Sequence, residues 1–322
     1  MKALVTGGTG FVGSHLIDAL LHDGVSVTAL VRSQSKAAGL AERGVRLVAG
    51  DLDDPAALRA AARDQDVIYH VAGLIRARSA AEFLSVNREG TAHLLDAAAE
   101  VSSARLVLVS SLAAGGPVPR GSRRMADEPA NPVTDYGRSK LAGEAVVRAG
   151  PLAWTIVRPP IVYGPRDTEF LRAFKAVRLG LIPVFGDGAQ QLSLVYGPDL
   201  AAALAAIGRN EAAAGQVFYP CHREVLTSAS LVTSLATTMQ RRGRVLRLPR
   251  AAAEVGLGLT SLAARVRGKA TLLTRDKAHE FFAPAWLADP GPLEKATGWR
   301  ALHAVRDGFE ATAAWYRAAG WL

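Results

Sequence analysis

Cysteine occurs once in 322 residues, at Cys221, so an internal disulfide framework is excluded. That usage fits a reducing compartment, and a cytoplasmic location is the expectation. Aromatic residues are sparse, at 6% of the chain. No recognition-helix, zinc or aromatic RNA-binding pattern accompanies the formal net charge of +9, so nucleic acid is not an expected partner. The basic residues look spread along the chain. No apolar run reaches the roughly 18 residues needed to span a bilayer. Residues 251–266 come nearest, but Glu254 and Arg265 interrupt them. A packed helix of a smaller domain is expected there, rather than a helix lying on a membrane. Met1-Lys2 leads straight into an apolar run, so no signal peptide is expected. One stretch lacks acid altogether: no Asp or Glu lies between Val25 and Ala41.

What is present is 49% hydrophobic residue and 31 glycines, enough for one large α/β domain and a smaller one. Ala3, Leu4 and Val5 read as a buried parallel strand. Gly7, Gly10 and Gly13 punctuate a turn after Thr6, and Phe11, Val12, Leu16, Ile17 and Leu20 follow with helical spacing. Strand, glycine turn and helix start together make a phosphate site, because unpaired N–H groups and partial positive charge meet there. A plain flexible loop lacks the flanking strand and helix.

Further strands are expected at 25–31, 45–48, 67–71, 106–109 and 153–158. Arg32 ends the second, where an acid selects NAD and an arginine accommodates the 2′-phosphate of NADP. Arg32, with Ser33 and Lys36 behind it, favours NADP, with NAD left open. A solvated arginine at a strand end is the competing reading. Asp51, beside Leu52, stands where it caps the helix at Asp54-Pro55-Ala56, unless it is reserved for a ligand. Val71, Ala72 and Gly73 are small enough for a cofactor to lie across the fourth strand's end. A helix from about 80 to 101 carries Asn87, whose neighbours pack a core face. Ser110-Ser111 end the fifth strand, at the edge where parallel sheets bind ligands. Tyr136 and Lys140, four apart, share one helix face. Cys221 and His222 show no metal-ligand spacing and are read as structural.

These elements in this order resemble the extended short-chain dehydrogenase/reductase superfamily, also described as NAD(P)-dependent epimerases and dehydratases. The shared runs are Thr6-Gly7-Gly8-Thr9-Gly10-Phe11-Val12-Gly13, Asn87-Arg88-Glu89-Gly90-Thr91, Tyr136-x-x-x-Lys140 and Arg158-Pro159-Pro160-Ile161-Val162-Tyr163-Gly164-Pro165. The dihydroflavonol-reductase and 3β-hydroxysteroid-dehydrogenase-like branch is the nearest in pattern. Gly197-Pro198 departs from the family's later Val-x-x-Asp-Leu element.

The resemblance implies a doubly wound parallel sheet of Rossmann type with a smaller C-terminal substrate domain. Residues 1–165 would form the cofactor core and 166–322 mainly the substrate domain, with about 195–220 returning to the first. It implies Tyr136 as acid/base, Lys140 tuning it and holding the nicotinamide ribose, and Ser111 orienting the substrate oxygen. Cofactor contacts would come from Thr6, Gly7, Gly10, Phe11, Val12, Gly13, Arg32, Asp51, Leu52, Val71, Ala72, Gly73, Asn87, Pro159, Ile161 and Val162. A neighbouring ammonium lowers a phenol's pKa toward neutrality.

The expected reaction is hydride transfer between nicotinamide and a ketone or secondary alcohol. Nucleotide-sugar epimerisation or dehydration is the alternative. Arg32 and the tyrosine-free run Leu112-Ala113-Ala114-Gly115-Gly116 argue against it. A non-catalytic NADP sensor would not need Ser111, Tyr136 and Lys140. Arg76, Arg78, Arg120, Arg123 and Arg124 lie in two loops expected at the ligand edge. They would form a positive rim for an anionic small-molecule substrate, or simply be solvated. A homodimer is left open.

Overall fold

Seven parallel strands form the central sheet in a computed structural model. It describes residues 1–322 except 35–36, 242–243, 269 and 272–273, and all side chains among these but those of Ile182, Pro183, Arg244 and Arg265. Lys36, and residues 272–273 of the C-terminal segment, lie outside the described residues.

The strands are β1 (Lys2–Thr6), β2 (Ser26–Val31), β3 (Arg46–Ala49), β4 (Val67–His70), β5 (Arg105–Val109), β6 (Trp154–Val157) and a short strand Val217–Phe218. Their spatial order is Val217–Phe218, β6, β5, β4, β1, β2, β3. The order reverses between β1 and β4, whose register pairs Thr6 with His70. A crevice opens at such a reversal, at the carboxyl ends of the strands.

Alternation along each strand divides the core in two. Leu4, Ile68, Leu106, Leu108 and Ile156 face one side, with Leu58, Leu94 and Val147 from the helices Pro55–Ala62, Gly90–Ala99 and Asp135–Ala149. Ala3, Val5, Val67, Tyr69, Val107 and Val157 face the other, with Leu16 and Ile17 of α1 (Phe11–His22) and Leu200 and Leu204 of the helix Gly197–Arg209. Both faces are covered, so these strands read as near-continuous apolar runs.

The helix expected over residues 80–101 is interrupted. Ala80–Leu84 passes into one π turn, Ser85–Glu89, before Gly90–Ala99 resumes. The smaller part of the molecule pairs Leu181–Phe185 with Arg244–Leu248 in parallel, and sets Gln191–Leu192 between Leu226–Thr227 and Ala285–Trp286. The terminal helix Val305–Ala318 returns Phe309 to 4.7 Å from the Tyr163 ring and Tyr316 to 5.3 Å from Phe174, by ring centroids. Gly197 has a packing reason: a Cβ there would sit 3.1 Å from Phe11 and 3.0 Å from His15. Pro198 stands in the first turn of its helix, where a missing N–H costs nothing.

Candidate active site

The glycine turn is built as the spacing requires. Gly7 has φ +72°, and a Cβ there would lie 2.7 Å from the backbone nitrogen of Ala72. A Cβ on Gly13 would lie 2.2 Å from the carbonyl oxygen of Gly7. The turn therefore closes directly against the end of β4. Gly10 caps α1 with no side-chain hydrogen bond, and no acid occupies the first turn. The helix opens with its positive end unfilled by its own residues.

Thr6 faces inward rather than into the crevice. Its Oγ1 accepts from the Ala72 N–H at 3.2 Å and lies 2.7 Å from His70 Nδ1. His70 Nε2 lies 3.0 Å from Thr91 Oγ1, which donates to the Asn87 carbonyl at 2.9 Å. Burial, with the Lys140 charge adding to it, pushes His70 down to about 3. It is a neutral ring, acceptor at one nitrogen and donor at the other, in a satisfied chain.

Asn87 sits in the π turn. Its Nδ2 donates to the Leu74 carbonyl (3.0 Å) and to Ser139 Oγ (2.9 Å), and its Oδ1 accepts from the Leu74 N–H (2.8 Å). Ser139 Oγ donates to the Tyr136 carbonyl at 2.8 Å. The loop after β4 is thus tied to the helix that bears Tyr136.

Ser111, Tyr136 and Lys140 come together at the end of β5. Ser111 Oγ accepts from the Ala113 N–H at 3.1 Å and is hydrogen-bonded to Tyr136. Lys140 is buried, and its Nζ donates to the Val109 carbonyl at 2.7 Å. It also lies close under Gly73, 3.3 Å from where a Cβ would be. Burial lowers the Lys140 pKa to about 8, against the pull of Glu144. The expected lowering of Tyr136 is not what the folded chain shows. Burial raises it to about 12; the Ser111 hydrogen bond opposes this and Glu280 adds to it. Desolvation of a phenolate outweighs a single hydroxyl donor.

The neighbouring Ser110 turns the other way and donates to Glu144 at 2.5 Å. Glu144 is wholly buried and accepts two bonds from Arg158, at 2.8 and 2.7 Å; Arg158 also donates to Tyr219 at 2.6 Å. Burial works against the arginine's charge, but Glu144 and Tyr219 outweigh it and hold its pKa above the ordinary value. Arg158, which opens the shared run ahead of Pro159, clamps β6 to the tyrosine helix. Pro159 follows, its carbonyl accepting from the Leu112 N–H at 2.8 Å. Ile161 and Val162 are half-buried in the strand Ile161–Tyr163.

Other expected residues fall where their strands place them. Arg32 is exposed just beyond β2, and Val71 and Ala72 lie half-buried beyond β4. Asp51 is not the helix cap. Asp54 caps, accepting from the Ala57 N–H at 3.0 Å, while Asp51 accepts from the Asp53 N–H at 2.9 Å in its own turn. Leu52 packs under Gly90. Val12 is half-buried in the first turn of α1, and Phe11 stacks edge-on to His15 at 5.4 Å.

The positive rim does not form. Arg76 pairs with Glu169 (3.1 Å), Arg78 with Glu82, and Arg120 with Asp187 (3.1 Å). Arg123 donates to the Ala288 carbonyl, and Arg124 is buried against Glu128 and the Pro117 and Pro129 carbonyls. Four of the five charges meet a carboxylate, while Arg123 donates to carbonyl oxygens. Among the described residues no cluster suits a metal ion, and Cys221 is buried with its Sγ toward the Ala288 carbonyl.

Spacing missed three participants. Glu144 continues the four-residue series of Tyr136 and Lys140, a signal that was readable. His70 is the one ring nitrogen pair at the end of an apolar strand. Lys277, whose Nζ lies 5.3 Å from the Tyr136 ring centroid, gave no signal, because its segment is joined to the site only by folding. That segment also places Asp276 to accept from the Asp135 N–H at 2.9 Å and Glu280 from Thr134 Oγ1 at 2.7 Å. Ile75, Phe83, Thr271 and Thr274 complete a small cavity over Tyr136.

Residues 3–219 match the family model described as the NAD dependent epimerase/dehydratase family. The chain is 34% identical over 319 residues to a ceramide reductase of Caulobacter vibrioides, covering 99% of this chain and 95% of that one. It is 36% identical over 182 residues to a 4-hydroxy-2-methyl-3-oxo-4-farnesyl-3,4-dihydroquinoline-1-oxide ketoreductase of Stigmatella aurantiaca, 53% of each chain. A solved structure, MoeE5 in complex with UDP-glucose and NAD, superposes with a TM-score of 0.79 at 22% identity over 99% of both chains.

Proposed function

The chain belongs to the NAD-dependent epimerase/dehydratase family, and on that premise we propose that it is a nicotinamide-dependent oxidoreductase acting on a ketone or secondary alcohol in a largely apolar substrate. The observation that carries the reading is the hydrogen-bonded Ser111–Tyr136 pair with Lys140 buried behind it, at the ligand edge of the sheet. The glycine cradle fits a dinucleotide: the helix end is uncapped, and Cβ atoms at Gly7 or Gly13 would fill it. Residues 1–165, with about 195–220, are the assigned cofactor part, and the remainder the assigned substrate part. Arg32, exposed where an acid would select NAD, supports NADP. A bound nicotinamide supplies or accepts the hydride.

Tyr136, raised by burial to about 12, stays protonated near neutral pH, which suits a donor of a proton to a forming alkoxide. Ser111 holds the substrate oxygen beside it. Lys140, below about 8, keeps a positive charge under the site. Asn87 and Ser139 fix the helix so that these groups do not drift. The apolar substrate is supported by the two relatives whose names are a ceramide reductase and a farnesyl-quinoline ketoreductase, and by the ion pairs of Arg76, Arg78, Arg120 and Arg124.

The test is net consumption of reduced nicotinamide with a panel of long-chain ketones and of sugar nucleotides. The reading expects stoichiometric oxidation with ketones. Interconversion of sugar nucleotides without net consumption would establish the epimerase alternative. Cofactor binding with neither reaction would favour a sensor.

A further inference from the structure

We propose that the helix Arg250–Val266 docks the protein, lying flat, on an anionic phospholipid surface, beside the entrance to the Tyr136 site. The segment was expected to be a packed helix. It is packed on one side only: Ala253 and Leu257 are buried. Val255, Leu259, Leu262 and Val266 are 65%, 62%, 59% and 80% exposed. At 3.6 residues per turn these four lie within about 60° of one another, opposite the buried pair. Ala252, Gly258 and Ala263 flank them, so no charge interrupts the outward stripe. A helix at a water-facing surface ordinarily puts its polar face outward; here aliphatic side chains stand there.

Charge identifies the occupant. Residues 241–267 hold seven arginines and one glutamate, two thirds of the chain's net +9. The basic residues are therefore concentrated here rather than evenly spread. Arg241, Arg247 and Arg267 are exposed, and Glu254, the one acid in this stretch of sequence, pairs with Arg250 at 2.8 Å. The strand leading into the helix adds exposed Val245 and Leu246, beside exposed Leu181 on its partner. An outward leucine and valine face bordered by arginines has the composition of a helix lying in the headgroup–acyl boundary of a bilayer. Arginines around such a face complement anionic headgroups.

Position links the surface to the site. Ser261 Oγ accepts from the Arg275 N–H at 3.2 Å, and the chain runs from there through Asp276 and Lys277 over the Tyr136 ring. An apolar substrate drawn from the bilayer would arrive at Ile75 and Phe83, which line the cavity beside that tyrosine.

Vesicle binding needs no catalytic step, so it is read separately from the proposed reaction. The full chain is floated with phosphatidylglycerol–phosphatidylcholine vesicles and with phosphatidylcholine alone. The comparison is a variant carrying Val255→Gln, Leu259→Gln, Leu262→Gln and Val266→Gln, substitutions that keep good helix formers on an outward face. Thermal unfolding confirms that it is folded. The proposal expects binding to anionic vesicles, weakened by salt, and a loss of about tenfold or more in the variant. It is overturned if the parent ignores anionic vesicles, if the variant binds equally, or if the parent self-associates through this face without binding lipid.

Discussion

The crevice at β1 and β4 and the helix at Arg250–Val266 spend their residues in opposite ways. At the crevice nearly every polar group is answered internally. His70 sits between two threonines, Glu144 between Ser110 and Arg158, and Asn87 satisfies a loop and a helix together. At the helix, aliphatic side chains face outward and basic charge outnumbers acid. Internal satisfaction fixes geometry, which hydride and proton transfer require. Outward mismatch leaves binding energy unspent within the fold, to be realised against something else.

The comparison sharpens under mutation, from the largest effect downward. Replacing Glu144 by Gln leaves the buried Arg158 guanidinium without its counter-charge, and should destabilise the fold by about 3–5 kcal/mol in chemical denaturation. Acid comes next. His15 is pushed down to about 4 by burial first and by Arg166 second, and His70 to about 3. Above about 6.5 both are neutral whether folded or not. Below it the unfolded chain binds protons that the folded chain refuses, so stability falls as pH drops. For His15 alone this approaches about 3 kcal/mol by pH 4. A thermal melting temperature independent of pH across that window would contradict the buried neutral rings.

Arg32→Ala should narrow the preference for NADPH over NADH by about tenfold, as the loss of one charge-assisted hydrogen bond does. Equal affinities in the parent would end that assignment. Smallest of all, each outward Gln substitution at Val255, Leu259, Leu262 or Val266 should change stability by no more than about 0.5 kcal/mol. A larger change would mean the stripe is packed, and the contrast between the two regions would fail.

The first half of the chain was readable because a parallel sheet covered on both faces leaves apolar runs punctuated by glycine. The β4 run, the turn from Gly7 to Gly13, and Tyr136 with Lys140 all fell where spacing put them. The π turn at Asn87 was not readable, because the apolar face of Leu94, Leu95 and Ala98 begins only after it and has no counterpart before it to reveal a shift of phase. Asp276, Lys277 and Glu280 reach Tyr136 across some 140 positions, and no local rule encodes such a meeting. The helix Arg250–Val266 was legible as a packed helix, but not in which of its faces packs. Apolar residues stand on both of its faces, so periodicity alone cannot say which one is buried. Tyr136 taught a related lesson: a lysine four residues away marks the pair, while burial sets the direction of its pKa.

The central claim is that Tyr136 passes the proton while hydride moves between nicotinamide and a carbonyl carbon. Single-turnover reduction of a ketone that the parent reduces, by Tyr136→Phe with the reduced cofactor bound, tests it directly. The account expects the rate to fall by about 10² or more while cofactor affinity is unchanged. A variant that reduces the ketone at the parent's rate would contradict it.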